Sequence, residues 1–215
     1  AEYKKLAATP GLSARKDGDV NRALAGAAKT LEAAYEFPYL AHAAMEPMNC
    51  VVKLGANACE VWNGEQLHTA DQAAVAGVVG LKPEQVNLHM LYAGGSFGRR
   101  ANPQSDYVVE AASIAKAING RAPVKLVWTR EDDMRAGQYR PLNYHALKAG
   151  LDKQGNIVAW HQRIVGQSIM AGTVMEGGMV KNGIDATSVE GASTLPYAIA
   201  NLGVELHSPK MGVPV

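Results

Sequence analysis

Long apolar runs are missing from this sequence. No stretch approaches the roughly 20 residues that cross a bilayer, so no membrane span is expected. A charge excess is missing as well: 21 Lys and Arg stand against 20 Asp and Glu, a net charge of +1. That balance excludes the broad basic field by which proteins hold nucleic acid or acidic membranes. The tightest basic pair, Arg99-Arg100, is too small for such a patch. Cysteine is scarce, with only Cys50 and Cys59. Both fall in the arms of a hairpin expected to turn at Gly55-Ala56-Asn57. That turn sets Leu54 opposite Ala58 and Lys53 opposite Cys59. Cys50 then faces Trp62, so no disulfide is expected and the cysteines do not report a compartment. No cluster of Cys and His has the spacing of a metal site. An initiator methionine is missing too: the chain begins at Ala1 and stops on Gly212-Val213-Pro214-Val215. Both ends read as cuts through a longer protein, with any export signal upstream of Ala1.

What is present is ordinary for a globular chain. The 215 residues are 47% hydrophobic and 19% charged, enough for one large domain or two small ones with a sizeable core. Residues 1–18 are polar and broken by Pro10-Gly11. Asp19 caps an expected helix running to about Ala34, with Val20, Leu24, Ala27, Ala28 and Leu31 as its stripe. Strand-like residues follow from Tyr35 to Leu40, then the hairpin from Cys50 to Trp62. Thr69 suits the N-cap of a helix ending near Gly80. Val86 to Tyr92 alternates as a strand. Ser105 opens a second helix whose face is Val108, Ala111, Ala112, Ala115 and Ile118, stopped by Gly120. Val124 to Trp128 is a short strand. Leu142–Leu151 and Ile157–Val165 form an antiparallel hairpin around residues 152–156. Residues 166–188 read as irregular, and Tyr197–His207 as a further strand. The expected class is α+β, with antiparallel or mixed sheets and flanking helices. The expected division is residues 1–34 as an N-terminal linker and helix, and 35–215 as one domain portion, incomplete at its C-terminal end.

Four segments carry polar groups where chemistry can sit. Gly94-Gly95-Ser96-Phe97-Gly98-Arg99-Arg100 follows a strand directly. Its glycines leave amide hydrogens uncovered, able to point at an oxo or phosphate group, and its arginines can add charge-assisted bonds. A Gly-rich turn with a Phe plug and a solvated Arg pair fits the same residues. The order is not G-x-G-x-x-G, and the next helix starts too late to meet a phosphate, which excludes a Rossmann turn. No Gly-Lys-Ser/Thr follows, which excludes a P-loop. In Ala41–Asn49, His42 and Glu46 suit a structural pair better than metal ligands, because a loop gives no helical face for two ligands. Gln66 lies on a strand-to-helix connection, where a binding amide or a plain polar loop residue both fit. Trp128–Met134 reads as a solvated turn with capping carboxylates.

Taken in order, these pieces resemble the molybdenum hydroxylases of the xanthine dehydrogenase and aldehyde oxidase family. That family carries a glutamine loop, a helix, a strand and a Gly-Gly-Gly-Phe-Gly loop. Here they correspond to Glu65-Gln66, the helix after Thr69, Val86–Tyr92 and Gly94–Gly98. Ala41–Cys50, Gly94–Arg100 and Trp128–Met134 look like the isoquinoline 1-oxidoreductase beta-subunit branch. The resemblance implies part of a molybdopterin-binding domain, with the pterin in its cytosine dinucleotide form. It implies that Gln66 hydrogen-bonds an oxygen ligand of the metal. Gly94, Gly95, Ser96, Phe97, Gly98 and Arg99 are implied to meet the cofactor, and no side chain of this chain to ligate the metal. The implied reaction is hydroxylation of an N-heterocycle or an aldehyde with oxygen from water, with electrons leaving to a small 2Fe-2S iron–sulfur subunit and on to a cytochrome. The family's general-base glutamate lies in a Gly-x-Gly-Glu segment that this sequence lacks, so the chain alone is expected to be inactive. Ala101 and Gly191 stand where purine-oxidising members place substrate-binding Glu and Arg, which disfavours purines. Ser96 replaces a loop glycine. A binding or assembly module that kept the fold without the cofactor is the alternative. Bacterial periplasm and cytoplasm both stay open as locations.

Overall fold

A computed structural model describes residues 1–215. In chain order its elements are α1 (Glu2–Ala7), β1 (Leu12–Asp17), α2 (Val20–Ala25), β2 (Lys29–Phe37), β3 (Asn49–Leu54), β4 (Cys59–Asn63), α3 (His68–Val79) and β5 (Val86–Met90). Then come α4 (Asp106–Ala117), β6 (Val124–Val127), α5 (Arg130–Arg135), β7 (Asn143–Leu151), β8 (Ile157–Gly166), α6 (Glu176–Met179), β9 (Val180–Lys181), β10 (Ile184–Asp185) and β11 (Leu202–His207). They divide into two compact units, one of residues 1–40 with 139–215 and one of residues 41–138. No helix is long and apolar enough to cross a membrane.

The first unit is built on a five-stranded sheet in the order β1-β11-β8-β7-β2. Its neighbours are antiparallel except β11 and β8, which run parallel. The β7–β8 hairpin forms as its sequence predicts. Asp152 accepts from the amides of Gln154 at 2.9 Å and Asn156 at 2.8 Å and closes the turn, a local bond its side chain is suited to make. Ile164, Leu202, Val204 and Leu206 fill the core on one face, and Tyr3, Ala7 and Val165 form a smaller cluster.

The expected helix from Asp19 to Ala34 is corrected here. Asp19 does cap it, accepting from the Arg22 amide at 3.0 Å, but the helix ends at Gly26 and Lys29 begins β2. Leu31, Ala33, Tyr35 and Phe37 alternate with Thr30, Glu32, Ala34 and Glu36, a period of two that fits a strand and is broken only at Ala34. Nine residue pairs, from Lys29 opposite Leu151 to Phe37 opposite Asn143, tie β2 to β7. That ladder outweighs the weak helical pattern across residues 27–31. Residues 166–188, read as irregular, hold the short α6 and the two-residue β9–β10 ladder.

The second unit is a four-stranded sheet, β5-β4-β3-β6, with α3 and α4 packed on it. Cys50, Val52, Cys59, Val61 and Val86 meet Val75, Ala76, Val108, Ala111, Ala112 and Ala115 in one buried core. Helix α4 buries Val108, Ala111, Ala112 and Ala115 as its sequence predicts, with Tyr107 added, while Ile118, also expected on that face, is the half-buried C-cap. Three local expectations shift. The β3–β4 loop has four residues, closed by Gly55 N–H to Ala58 O at 2.8 Å. Leu54 therefore faces Cys59, and Cys50 faces Asn63. Both cysteines are free and buried, and burial pushes the Cys59 thiol up to about 11 and Cys50 to about 12. Helix α3 starts at His68 after Leu67, not after Thr69. Strand β5 ends at Met90, because its partner β4 ends opposite it at Asn63.

Two glycines of this unit should respond oppositely to alanine. Gly120 has φ +64° and an added Cβ would meet Leu54 O at 2.5 Å, so Gly120→Ala should destabilise by more than the ~1–2 kcal/mol of the left-handed backbone alone. Gly77 is exposed within α3 with open space at its Cβ, so Gly77→Ala should stabilise by about 1 kcal/mol. Thermal unfolding of both variants checks the pair of signs.

Asp71 gives a second expectation. It is buried in the first turn of α3, and burial, with Glu65 and Asp106 nearby, pushes its carboxyl up to about 6. The folded state then binds the proton more tightly than the unfolded chain, so this group's contribution falls as pH rises from about 4 to 6 and stays low above. Across that roughly two-unit shift the loss is about 3 kcal/mol. Asp71→Asn should be more stable than the parent at pH 7.5, with the gap closing by pH 4; equal gaps at both pH values would refute it.

Candidate functional site

Strands β4 and β5 are parallel neighbours, with Asn63 opposite Met90 at their C-terminal ends. A parallel pair needs a crossover, and α3 supplies it. Two connections therefore leave the sheet side by side: Gly64–Leu67 into α3, and Leu91–Ser105 into α4. The Leu91 amide donates to Asn63 O at 2.8 Å, and a Cβ on Gly64 would meet Ala93 Cβ at 2.9 Å. A side chain at residue 64 would push the two connections apart.

Gln66 and Ser96 of the Gly-rich loop, 30 residues apart in sequence, meet here. Gln66 Oε1 accepts a hydrogen bond from the Ser96 hydroxyl. The Gln66 amide donates to Arg100 O at 3.4 Å. Below them the Glu65 side chain is buried and bonded to His68 Nδ1 at 2.6 Å, fixing the start of the helix. Gln66, Gly95 and Ser96 line a cavity of about 650 Å³ together with Met90, Leu91 and Tyr92. Those last three, and Phe97, are exposed.

The loop is held from underneath by Glu46. Its Oε2 accepts from the Gly94 amide at 2.5 Å and from Arg100 Nη2 at 3.2 Å, and its Oε1 from Asn49 Nδ2 at 2.7 Å. The Gly94 amide, then Asn49 and Arg100, hold this carboxyl below the usual range. Gly94 is required at that contact, since a Cβ would lie 2.6 Å from Glu46 Cβ. Arg100 is 1% exposed and also donates to Gly95 O at 3.2 Å and Glu46 O at 3.4 Å. The segment before Glu46 is tied by Arg130, whose guanidinium donates to Ala44 O and Met45 O at 2.5 and 3.0 Å.

The loop's own amides sort into two sets. Gly94 donates to Glu46, Arg99 to Ser96 O, Arg100 to Ser96 Oγ and Ala101 to Gly98 O. The four between, on Gly95, Ser96, Phe97 and Gly98, have no partner within the chain. Gly95, Phe97 and Gly98 have φ of +100°, +58° and +96°. For a bulky side chain such as Phe97 that conformation is strained. Consecutive amides left open by such turns can form a donor set suited to an anion or oxo group.

The expected site residues are thus partly gathered. Gln66, Gly94, Gly95, Ser96, Phe97 and Gly98 share one end of the sheet. Arg99 turns the other way: 4% exposed, it bonds Asp106 at 2.6 and 3.3 Å and lies 5.4 Å over the Trp128 ring. The arginine pair is buried rather than solvated, and Phe97, 76% exposed, plugs nothing within this chain. The charged run after Trp128 is a helix, α5, capped by Thr129 accepting from the Asp132 amide. Sequence reading undervalued Glu46 and left Arg100 out of the cofactor set, though it named the arginine pair as a source of charge-assisted bonds. The signal for both was weak: a lone Glu before proline, and the second arginine of a pair.

Known proteins share parts of this sequence and its fold. The beta subunit of isoquinoline 1-oxidoreductase from Brevundimonas diminuta is 35% identical over 131 residues, 60% of this chain and 16% of that one. The molybdenum-binding subunit of an aldehyde oxidoreductase from Escherichia coli is 30% identical over 142 residues, 66% of this chain and 19% of that one. The fold of quinoline 2-oxidoreductase from Pseudomonas putida 86 superposes with a TM-score of 0.71 at 16% identity, over 90% of this chain and 24% of that one. The matches thus span less than a quarter of each of these relatives. The family model for the molybdopterin cofactor-binding domain matches residues 5–209, nearly the whole sequence, and the chain therefore belongs to the molybdopterin cofactor-binding domain family.

Proposed function

We propose that this chain is the front part of the molybdenum-cofactor-binding region of a catalytic subunit that hydroxylates isoquinoline-like N-heterocycles or aldehydes, with water as oxygen source. One observation carries the reading: four consecutive amides, Gly95 to Gly98, stand without partners beside the Gln66 side chain. These residues fit the group. Backbone donors answer oxo or pterin oxygens without adding bulk, and Gln66 adds a side-chain amide to the same set. When bound, the molybdenum pterin supplies oxygen transfer and two-electron redox chemistry. The chain's part is to bind and orient it: Gly95–Gly98 by their amides, Gln66 by its side chain, and Glu46 with Arg100 by keeping the loop in shape. Arg99, its guanidinium committed to Asp106 and its amide to Ser96 O, takes part by holding the loop.

The general base is expected on a glutamate outside residues 1–215, so the chain alone should be inactive. In the whole protein the pterin is expected as the cytosine dinucleotide. A small 2Fe-2S subunit is the expected electron acceptor, followed by a cytochrome. A partner subunit is supported by the names of relatives as subunits of larger enzymes; its iron–sulfur character is what the family resemblance implies. Ala101 and Gly191, in place of purine-binding Glu and Arg, favour heterocycles of the isoquinoline kind.

The full subunit, co-expressed with its iron–sulfur partner, should contain near-stoichiometric molybdenum and release cytidine monophosphate on acid treatment. A well-folded sample from a cofactor-competent host with neither metal nor pterin would overturn the reading in favour of a non-catalytic module. In the same protein Gln66→Ala should lower turnover on the order of 100-fold, the usual cost of losing one placed donor, with the melting temperature nearly unchanged. Gly95→Val, which forces a β-branched residue to φ +100°, should instead lower molybdenum content; normal occupancy would remove the loop from the cofactor site.

A further inference from the structure

The Ser96 hydroxyl stands between two groups of unequal freedom. On one side is the backbone N–H of Arg100, which can only donate, and Ser96 Oγ accepts from it at 3.1 Å. On the other is the Gln66 side chain, whose two ends differ: a carbonyl oxygen that accepts and an NH2 that donates. With the Arg100 amide on its lone pair, the Ser96 hydrogen is satisfied by turning to Gln66, and Gln66 Oε1 accepts it. The opposite flip would bring the Gln66 NH2 against the hydroxyl and leave the Ser96 hydrogen to find another acceptor. The Gln66 backbone is held by the same segment, through its amide to Arg100 O at 3.4 Å. Arg100 in turn cannot drift, since its guanidinium is buried against Gly95 O and Glu46.

We propose that Ser96 is a positioning residue: the chain Arg100 N–H to Ser96 Oγ–H to Gln66 Oε1 sets the flip of the Gln66 amide, so that its NH2 is the end left to meet a ligand. The local set then consists of donors alone, the Gln66 NH2 and the amides of Gly95 to Gly98. That polarity selects an acceptor, an oxo or anionic oxygen, and disfavours a protonated or donor group in the same place. A residue without a hydroxyl at position 96 would leave both flips open and weaken the selection. This inference rests on the reading of Gln66 as a cofactor-contacting residue.

The test uses the full subunit with its iron–sulfur partner and three variants: Ser96→Ala, Ser96→Thr and Gln66→Ala. Molybdenum content, the Mo(V) EPR spectrum, kcat and KM are measured for each. Ser96→Ala is expected to keep its molybdenum, change the Mo(V) spectrum and lose kcat on the order of 10-fold with KM little altered, a fraction of the loss on removing the donor itself. Ser96→Thr, which keeps the hydroxyl, should restore both spectrum and rate. If Ser96→Ala matches the parent in spectrum and rate while Gln66→Ala is impaired, the positioning role is overturned and the reading of Gln66 stands. If Gln66→Ala itself leaves spectrum and rate unchanged, that reading falls and the inference with it. Loss of molybdenum in Ser96→Ala would assign the hydroxyl to shaping the loop and would overturn the positioning role.

Discussion

The ion pair between Glu46 and Arg100 is the constraint on which the site depends. Arg100 is almost wholly removed from water, and a buried charge is tolerated only when paired and hydrogen-bonded. Its partners are all in the loop or directly beneath it: Gly95 O, Glu46 O and the Glu46 carboxylate. The same carboxylate caps the Gly94 amide. One pair thus closes the loop from both sides, and the loop's open amides are those that this closure leaves over. Arg130 and Asn49 extend the grip to the segment that carries Glu46. Glu46, Asn49 and Arg100 find their partners among themselves and the loop's first residues, so the amides from Gly95 to Gly98 are spared for a ligand.

The sheet gives this pair its place. Because β4 and β5 are parallel, their connections emerge at one end, the end where open α/β sheets put ligands. An antiparallel β5 would have put the Gly-rich loop at the far end from Gln66. The helix between the strands keeps the pairing, since its apolar residues share a core with both.

Much of this was legible in the sequence, and the remainder fails for identifiable reasons. Period-two and period-3.6 patterns located β5, α4 and the β7–β8 hairpin, since burial on one face writes a repeat into the residues. The helix read through Ala34 failed because residues 27–31 fit both periods, and only a distant partner, β7, decides between them. The β3–β4 register slipped by one because loop length is set by a single backbone bond at Gly55. The ordered set of motifs identified the family where each motif alone did not. The burial of Arg100, the turning of Arg99 to Asp106 and the link from Ser96 to Gln66 had no sequence signal, being set by contacts between segments far apart in the chain.

Strand β2 lies at the margin of the five-stranded sheet, exposed along its whole length, with Leu31, Tyr35 and Phe37 among the exposed large apolar residues. An uncovered margin of this kind is a template for other strands. Lys29, Glu32 and Glu36 interrupt it with charge of both signs, the usual guard against self-association. Because salt screens those charges, the guard they give this margin weakens as ionic strength rises.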